Sequence, residues 1–522
     1  MKKLLLFVLI LLPMAAHASH LINGLYYDLD PTTKLATVTG YHTSSKSIVI
    51  PETITYFDNI NYWTYKVIAI GFNAFKDCSA TSVFLPNNVH DIGPCAFENS
   101  NLKYIHFSRG LTSVDDYAFS GCSNLEYVFC WYGPVVLGSN VFSGCTNLKK
   151  MYIAKYTKEE FTGTKNWSSY SDKFEEFFAN GKCGTNLRYL MCGISKYTLV
   201  ITKYVDTSQS DYTGQMKNYS NANDRYWNKY AGDITDIIVG DDVESIGNNA
   251  FADCDALTSI TIPREIVSIG DYAFSNCSAL TSLSIPNDVI SIGQYAFYKC
   301  SNIKHLNISN KVTFIGKYAF SDCNSLLSVN IPDNIYFTCI AQGTFCNCIN
   351  LAYANIPSYV VSIDDNAFSG CSSLARLSLD NSTSLRNIGA QAFYNCKELT
   401  SLTFPKSIES IGAQAFYYCD NIDRIKLFPE TPPTASDNTF NNYNVRLYVP
   451  DKALTKYQNK SPWNCFTSIH PLSDYTYDIE VDGIYYLLNE AKGTAQVACQ
   501  YTSASNQSAY IGGGSDSRIL HV

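Results

Sequence analysis

Apolar and polar residues alternate in a unit that recurs along most of the chain. Over Ser259-Ile-Thr-Ile262 the apolar residues fall on every second position, the period of a strand with one buried face. Pro263 lacks the N–H a ladder requires and ends the strand. A short turn leads to Val267-Ser-Ile-Gly270, whose glycine reads as turn punctuation, and then to Ala273-Phe-Ser-Asn-Cys277. One unit is therefore L-x-x-I-x-I-P, a turn, V-x-S-I-G, then A-F-x-x-C. Its Phe recurs at 75, 97, 119 and 142, and again at 251, 274, 297, 320, 345, 368, 393, 416 and 440, at steps of 22 to 25 residues within each block. A unit this short cannot bury its own apolar side, so the copies must stack into one continuous core. Their strands then pair in parallel at about 4.8 Å per coil. The pattern predicts a repeat solenoid of parallel β arrays.

Cysteine follows the repeat Phe by three residues in eleven of the thirteen units: Cys78, Cys122, Cys145, Cys254, Cys277, Cys300, Cys323, Cys348, Cys371, Cys396 and Cys419. One Cys per coil at a fixed inward slot reads as a ladder of buried thiols rather than a metal or redox array, since free Cys is among the most buried residue types. Eight further cysteines lie off the column, and the spacing of Cys183 and Cys192 about an expected hairpin leaves a disulfide open there.

The I-P, V-x-S-I-G and A-F-x-x-C marks resemble the BspA-like leucine-rich repeats of bacterial and protist surface proteins, over roughly residues 20–470. The slot three residues after the last strand position departs from the better-known leucine-rich pattern, being Glu265 or Asp288 instead of Asn or Cys. The resemblance implies a leucine-rich-repeat-like fold with β-hairpin N-caps, and an extracellular, non-catalytic protein associated with adhesion. It implies no particular ligand.

The repeats pause near Ile153 and resume near Ile234. Two passages rich in charge and aromatic residues, one holding Trp167 and the other Trp463, read as helical caps that cover a last apolar coil. Ile22-Asn-Gly-Leu-Tyr-Tyr27 has an echo in Val481-Asp-Gly-Ile-Tyr-Tyr486, and Asn-Gly and Asp-Gly are hairpin signals. The expected organisation is a signal peptide over 1–18, an N-terminal β cap including the first strand over 19–66 and a first array over 67–154. A C-terminal cap over 155–182 and a second cap module over 183–232 follow. A second array over 233–450, a cap over 451–474 and an orphan β module with its tail over 475–522 complete the chain.

Composition changes this picture in three places. Met1-Lys-Lys3, the apolar run Leu4 to Leu12 and Ala16-His-Ala18 have the three parts of a secretory signal peptide, and the run is too short to span a bilayer. No lipid-anchor cysteine follows the cleavage site and no later segment reads as membrane-spanning, so the expected location is secreted or cell surface. Loss of Lys2 and Lys3 leaves 36 basic and 46 acidic residues, a net charge of −10 that offers no field for nucleic acid. Enzyme chemistry is not expected: no H-E-x-x-H, G-x-S-x-G or phosphate-cradling motif occurs, and no cofactor or metal site is predicted.

Outward strand positions of the first array carry an aromatic stripe: Phe84, Tyr104, His106, Tyr127, Phe129 and Tyr152. Rings stacked at each coil make a large apolar patch to leave in water, which marks these six as candidate partner-binding residues; the alternatives are rings placed for cross-strand packing, or rings that the cap or the second array covers. The second array carries Thr261, Ser284, Asn307, Asn330, Asn355, Ser378 and Thr403 at the equivalent slots, a small polar column. The expected function is binding of an extracellular protein or glycan. The alternative is a structural protein that self-associates through solenoid edges and the C-terminal module.

Overall fold

The computed structural model describes residues 19–58, 61–154, 157–193, 196–203, 214–240, 243–379 and 382–475, and four strands beyond them. The expected signal peptide and the Gly512–Ser515 tail lie outside the described residues. The chain divides into two units, residues 1–194 with 202–213, and residues 195–201 with 214–522.

The first unit opens on the expected hairpin. His20 pairs with Tyr27 and Ile22 with Leu25, and Asn23 and Gly24 at the turn have φ of 50° and 83°, a region that Asn and Gly enter most readily. Leu25–Asp30 then pairs antiparallel with Leu35–Tyr41, which passes to parallel pairing with Tyr62–Ile70. From there the coils build two parallel ladders. The longer strands are Ser47–Val49, Ser82–Phe84, Tyr104–Phe107, Tyr127–Cys130 and Lys150–Ala154. A second ladder continues from Ile70 through Asp91–Ile92, Ser113–Val114 and Val136–Leu137.

The second unit repeats the plan from Ile234–Val239 and Ser259–Thr261 onward to Arg446–Val449 and Ser468–Pro471. Its second ladder runs Ser245–Ile246, Ser268–Ile269, Ser291–Ile292 and Phe314–Ile315, then resumes at Cys339–Ile340 and ends at Thr434–Ala435. The V-x-S-I-G segment, read from sequence as leading into a turn, is thus itself a strand. Two residues are too few for alternation to reveal it.

Stacking puts each repeat Phe over the last. Ring centroids of Phe75, Phe97 and Phe119 lie 5.1 and 5.0 Å apart and nearly parallel, and those of Phe274, Phe297 and Phe320 lie 5.1 and 5.3 Å apart. The main chain locks the same register, as Phe97 N–H donates to the Ala118 carbonyl and Phe274 N–H to the Ala296 carbonyl of the next coil, both at 2.7 Å. The column thiols do the same in the opposite direction: Cys277 Sγ donates to Phe251 O and Cys300 Sγ to Phe274 O, both at 3.2 Å. The thiol-ladder reading holds, and all the cysteines of the column are unpaired thiols.

The backbone strain of each coil sits on either side of this Phe rather than at the S-I-G glycine. In every coil from Phe75 to Phe416 the residues two before and two after it have positive φ, among them Asn249, Tyr272, Tyr295 and Tyr318 before it and Asn276 and Asn347 after it. Asn and Asp tolerate this region and Tyr rarely enters it. Tyr272, Tyr295 and Tyr318 offset the cost by stacking at 4.8 and 5.1 Å. The S-I-G glycines answer a different need, close approach: a Cβ on Gly293 would lie 2.5 Å from the Asp271 backbone N and side-chain Oδ1.

The segments expected to be helical caps are only partly helical. Lys158–Gly163 is a single short helix, Ser168–Lys173 is a 3₁₀ turn, and Phe174–Gly184 is a strand that adds to Lys150–Ala154 in parallel and runs across the expected 182/183 boundary. At the other end Leu454–Gln458 is a five-residue helix between 3₁₀ turns. Sealing falls to tryptophan: Trp167 and Trp463 are fully buried and donate through Nε1 to Val135 O and Pro433 O at 2.7 and 2.9 Å. Trp227, at the start of the second array, does likewise to Ala250 O at 3.2 Å.

The C-terminal module repeats the N-terminal hairpin. Ile479 pairs with Tyr486 and Val481 with Ile484, and Ile484–Asn489 pairs with Thr494–Gln500 with a register shift between Tyr485 and Tyr486. The N-terminal cap has its shift at the matching place, between Tyr26 and Tyr27. The Asp482-Gly483 turn itself lies outside the described residues.

Two substitutions test the stacking. Gly293→Ala is expected to lower stability by about 1–3 kcal/mol through overpacking, and Phe297→Ala by about 3–5 kcal/mol through cavity formation. Gly163→Ala, where a Cβ meets nothing within 4 Å, should leave the urea midpoint within error.

Candidate functional site

The structure brings all six stripe residues together as the sequence reading places them. Tyr104 pairs with Ser82 and Tyr127, and His106 with Phe129, which pairs with Tyr152. Phe84, His106, Phe129 and Tyr152 form one stacked column, with centroid separations of 6.4, 4.4 and 5.2 Å.

Their expected exposure is overturned. Phe84, Tyr104, His106, Phe129 and Tyr152 are each 5% exposed or less, and only Tyr127 keeps partial access to solvent. Later residues of the same unit pack on the Trp131 and His106 end of this face. Phe174–Gly184 turns back as the antiparallel strand Leu187–Gly193, Phe177 packs against Trp131 at 5.6 Å, and the Arg188 guanidinium lies over the Trp131 ring at 5.8 Å. Glu175 of that hairpin pairs with Lys150 at 2.9 Å. A ring cluster of this size is costly to leave in water, and the hairpin packs on its Trp131 end.

His106 lies at the centre. Trp131 Nε1 donates to His106 Nδ1 at 3.1 Å, so the imidazole proton is on Nε2, which donates to Thr202 Oγ1 at 2.9 Å. Indole is a donor only, which fixes this tautomer. Burial, aided by the Arg188 charge, holds the imidazole down to about 3. Two hydroxyls on the same face, Ser82 Oγ and Tyr104 OH, are buried without a hydrogen-bond partner among the described residues. Sequence reasoning missed Trp131, while burial of the stripe by the cap or the second array is one of its alternatives. Trp131 continues the outward alternation of Tyr127 and Phe129 past the strand's end, and that was the available signal.

The outward column of the second array is open. Thr261, Ser284, Asn307, Asn330 and Asn355 are exposed, as are His305, Tyr353 and Arg376 beside them, whereas Ser378 is buried and Thr403 half-buried. Asn330 Nδ2 donates to Asn307 Oδ1 at 3.4 Å, and Arg376 lies 5.9 Å from the Tyr353 ring centroid. On the second ladder of this unit, a groove of about 410 Å³ is lined by Glu244, Ser268, Asp271 and Phe314. Another of about 420 Å³ is lined by Lys317, Ser362, Asp365 and Asn387.

Among the described residues no group of three or more His, Cys, Asp or Glu side chains is disposed to hold a metal ion. Cys183 and Cys192 are separate buried thiols: Cys192 faces Phe177 across the hairpin, while Cys183 sits in a register irregularity near the turn. Burial raises both, and pushes the Cys323 thiol up to about 12.

Stacked coils of about 23 residues with parallel ladders and capped ends define a leucine-rich repeat solenoid. Residues 41–162, 224–339 and 338–468 match the BspA type leucine rich repeat region in six copies, and the chain belongs to that family. Among solved structures it is similar to a leucine-rich repeat protein from Bacteroides ovatus, at 23% identity over 87% of this chain and 99% of that one, with a TM-score of 0.41. A leucine rich cell surface protein from Faecalibacterium prausnitzii aligns at 20% identity over 78% of this chain and 94% of that one, with a TM-score of 0.24. The pneumococcal vaccine antigen PcpA aligns at 16% identity over 87% and 98%, with a TM-score of 0.25. No curated protein matches the chain. No helix among the described residues is long and apolar enough to cross a membrane.

Thiol reactivity checks this arrangement. In the native chain Cys465, which is exposed, is expected to label with a thiol reagent before any column cysteine. The ten buried column thiols should label only in denaturant, and a non-reducing peptide map should show no bridge between Cys183 and Cys192.

Proposed function

We propose that the chain is a secreted or cell-surface protein that binds an extracellular protein or glycan, in adhesion or host interaction, without catalysing a reaction. The signal-peptide pattern and membership of the BspA-type family support the location and the class. The observation that carries the reading is the open outward column of the second array. Its asparagines recur at each of three consecutive coils, Asn307, Asn330 and Asn355, and all are exposed. A neutral amide both donates and accepts, which suits a peptide backbone or a row of sugar hydroxyls. A periodic ligand can repeat one contact at each coil and add the small energies. Phe84, Tyr104, His106, Tyr127, Phe129 and Tyr152 join this reading only when their cover is displaced.

The triple variant Asn307→Ala, Asn330→Ala, Asn355→Ala is expected to weaken retention on extracellular-matrix proteins or glycans by at least about tenfold, with unchanged circular dichroism. Unchanged retention would remove the asparagine column from the reading.

A second reading, self-association, has one observation in its favour. The C-terminal module repeats the register of the N-terminal cap hairpin, whose outer strand accepts a parallel neighbour. Deleting residues 475–522 should then convert an oligomer to a monomer in sedimentation velocity. A full chain that is already monomeric discards this reading.

A further inference from the structure

The cover over the aromatic face is held by a hydrogen-bond chain that tolerates only one protonation state. Trp131 Nε1–H points at His106 Nδ1, and His106 Nε2–H points at Thr202 Oγ1. A second proton on the ring would sit on Nδ1 and face the indole N–H, donor against donor. The imidazolium would also be buried among Phe84, Tyr104, Phe129 and Trp131, with no carboxylate among its bonded or stacked neighbours. Of the charged groups on the elements around it, Arg188 is the one whose charge acts on the ring; Glu175 pairs with Lys150, Glu176 stands in register with the core residue Ile153, and Lys182 is exposed.

The same side chains that cradle His106 hold the cover. Trp131 is the ring on which Phe177 and Arg188 of the hairpin rest, and Thr202 is the far end of the chain of bonds. Moving Trp131 to relieve the donor clash therefore loosens the hairpin. Among the described residues Ser82 Oγ and Tyr104 OH on the same face have no hydrogen-bond partner, which buried hydroxyls are elsewhere seldom allowed.

We propose that the hairpin Phe174–Gly193, with Thr202, is a pH-released cover, and that protonation of His106 opens it and uncovers the aromatic face of the first unit. The sign follows from linkage. His106 binds its proton near the ordinary imidazole value in the open state and far lower in the closed state. The closed state therefore has its full stability above about pH 6.5 and loses it progressively as pH falls toward 3. Between pH 7.5 and 5.0 the opening constant should rise about thirtyfold.

The test is hydrogen exchange by mass spectrometry on the full chain without its signal peptide, at pH 7.5 and 5.0, corrected for intrinsic exchange rates. Peptides within 125–132 and 174–193 should lose protection about thirtyfold, while coil 290–300 of the second unit keeps its protection. His106→Gln retains a donor and an acceptor but does not titrate, and should remove the pH dependence. Thr202→Val keeps the imidazole and breaks the last bond, so it should raise exchange of the hairpin at pH 7.5 and preserve the pH dependence. Unchanged protection at pH 5.0 in the parent chain would overturn the proposal. So would a His106→Gln chain with the parent's pH response, or loss of protection in coil 290–300 in the same step.

Discussion

Everything in this protein depends on the spacing between one coil and the next. Backbone hydrogen bonds fix that spacing near the strand separation of a parallel sheet, about 4.8 Å, and the Phe rings answer it with centroids 5.0 to 5.8 Å apart along both arrays. Once the spacing is fixed, each slot of the repeat has one function. Glycine stands where a Cβ would enter the preceding coil's backbone, as at Gly293. A thiol stands where a small apolar group must also donate to a carbonyl, as at Cys277. Asn, Asp or Gly stands at most of the positive-φ slots beside the Phe, and three successive tyrosines, Tyr272, Tyr295 and Tyr318, occupy others stacked on one another.

A fixed period also explains the low charge. Each coil turns its large side chains inward and fills its outward slots from a few small polar types, which leaves 16% charged residues where about 25% is usual. The charges that remain often pair from coil to coil, as in Lys76–Glu98, Lys149–Glu126 and Lys311–Asp288 at 2.6 to 2.7 Å. These pairs are at least partly exposed, so water screens them and register comes from packing and the main chain. What a solenoid cannot supply is an end. Trp167, Trp227 and Trp463 seal the coils at which stacking stops or starts, each by an indole N–H bonded to a main-chain carbonyl.

The two arrays share one scaffold and differ in what their outward faces do. Aromatic outward slots in the first array are buried, with the hairpin that follows its last coil packed on Trp131. Small amide and hydroxyl slots in the second remain in water. Exposure is therefore a property of what comes after an array, and Arg188 on Trp131 and Thr202 on His106 are contacts across 57 and 96 residues of sequence.

The repeat unit, its inward Phe and Cys columns, the hairpin at Asn23-Gly24 and the echo at residues 481–486 were legible in the amino-acid order alone. Each is a local pattern whose period is set by the strand and the coil. The six stripe residues were also correctly placed on one face, because alternation decides the side of a strand. Which face stays open was not legible, since burial depends on contacts that no period records. The same holds for the second ladder, whose strands are two residues long, and for the caps, where tryptophan and strand replace expected helix. His106 shows the division most clearly: sequence put it in the outward column, and only the tertiary structure surrounded it with Phe84, Phe129, Trp131 and Thr202 and so decided its proton.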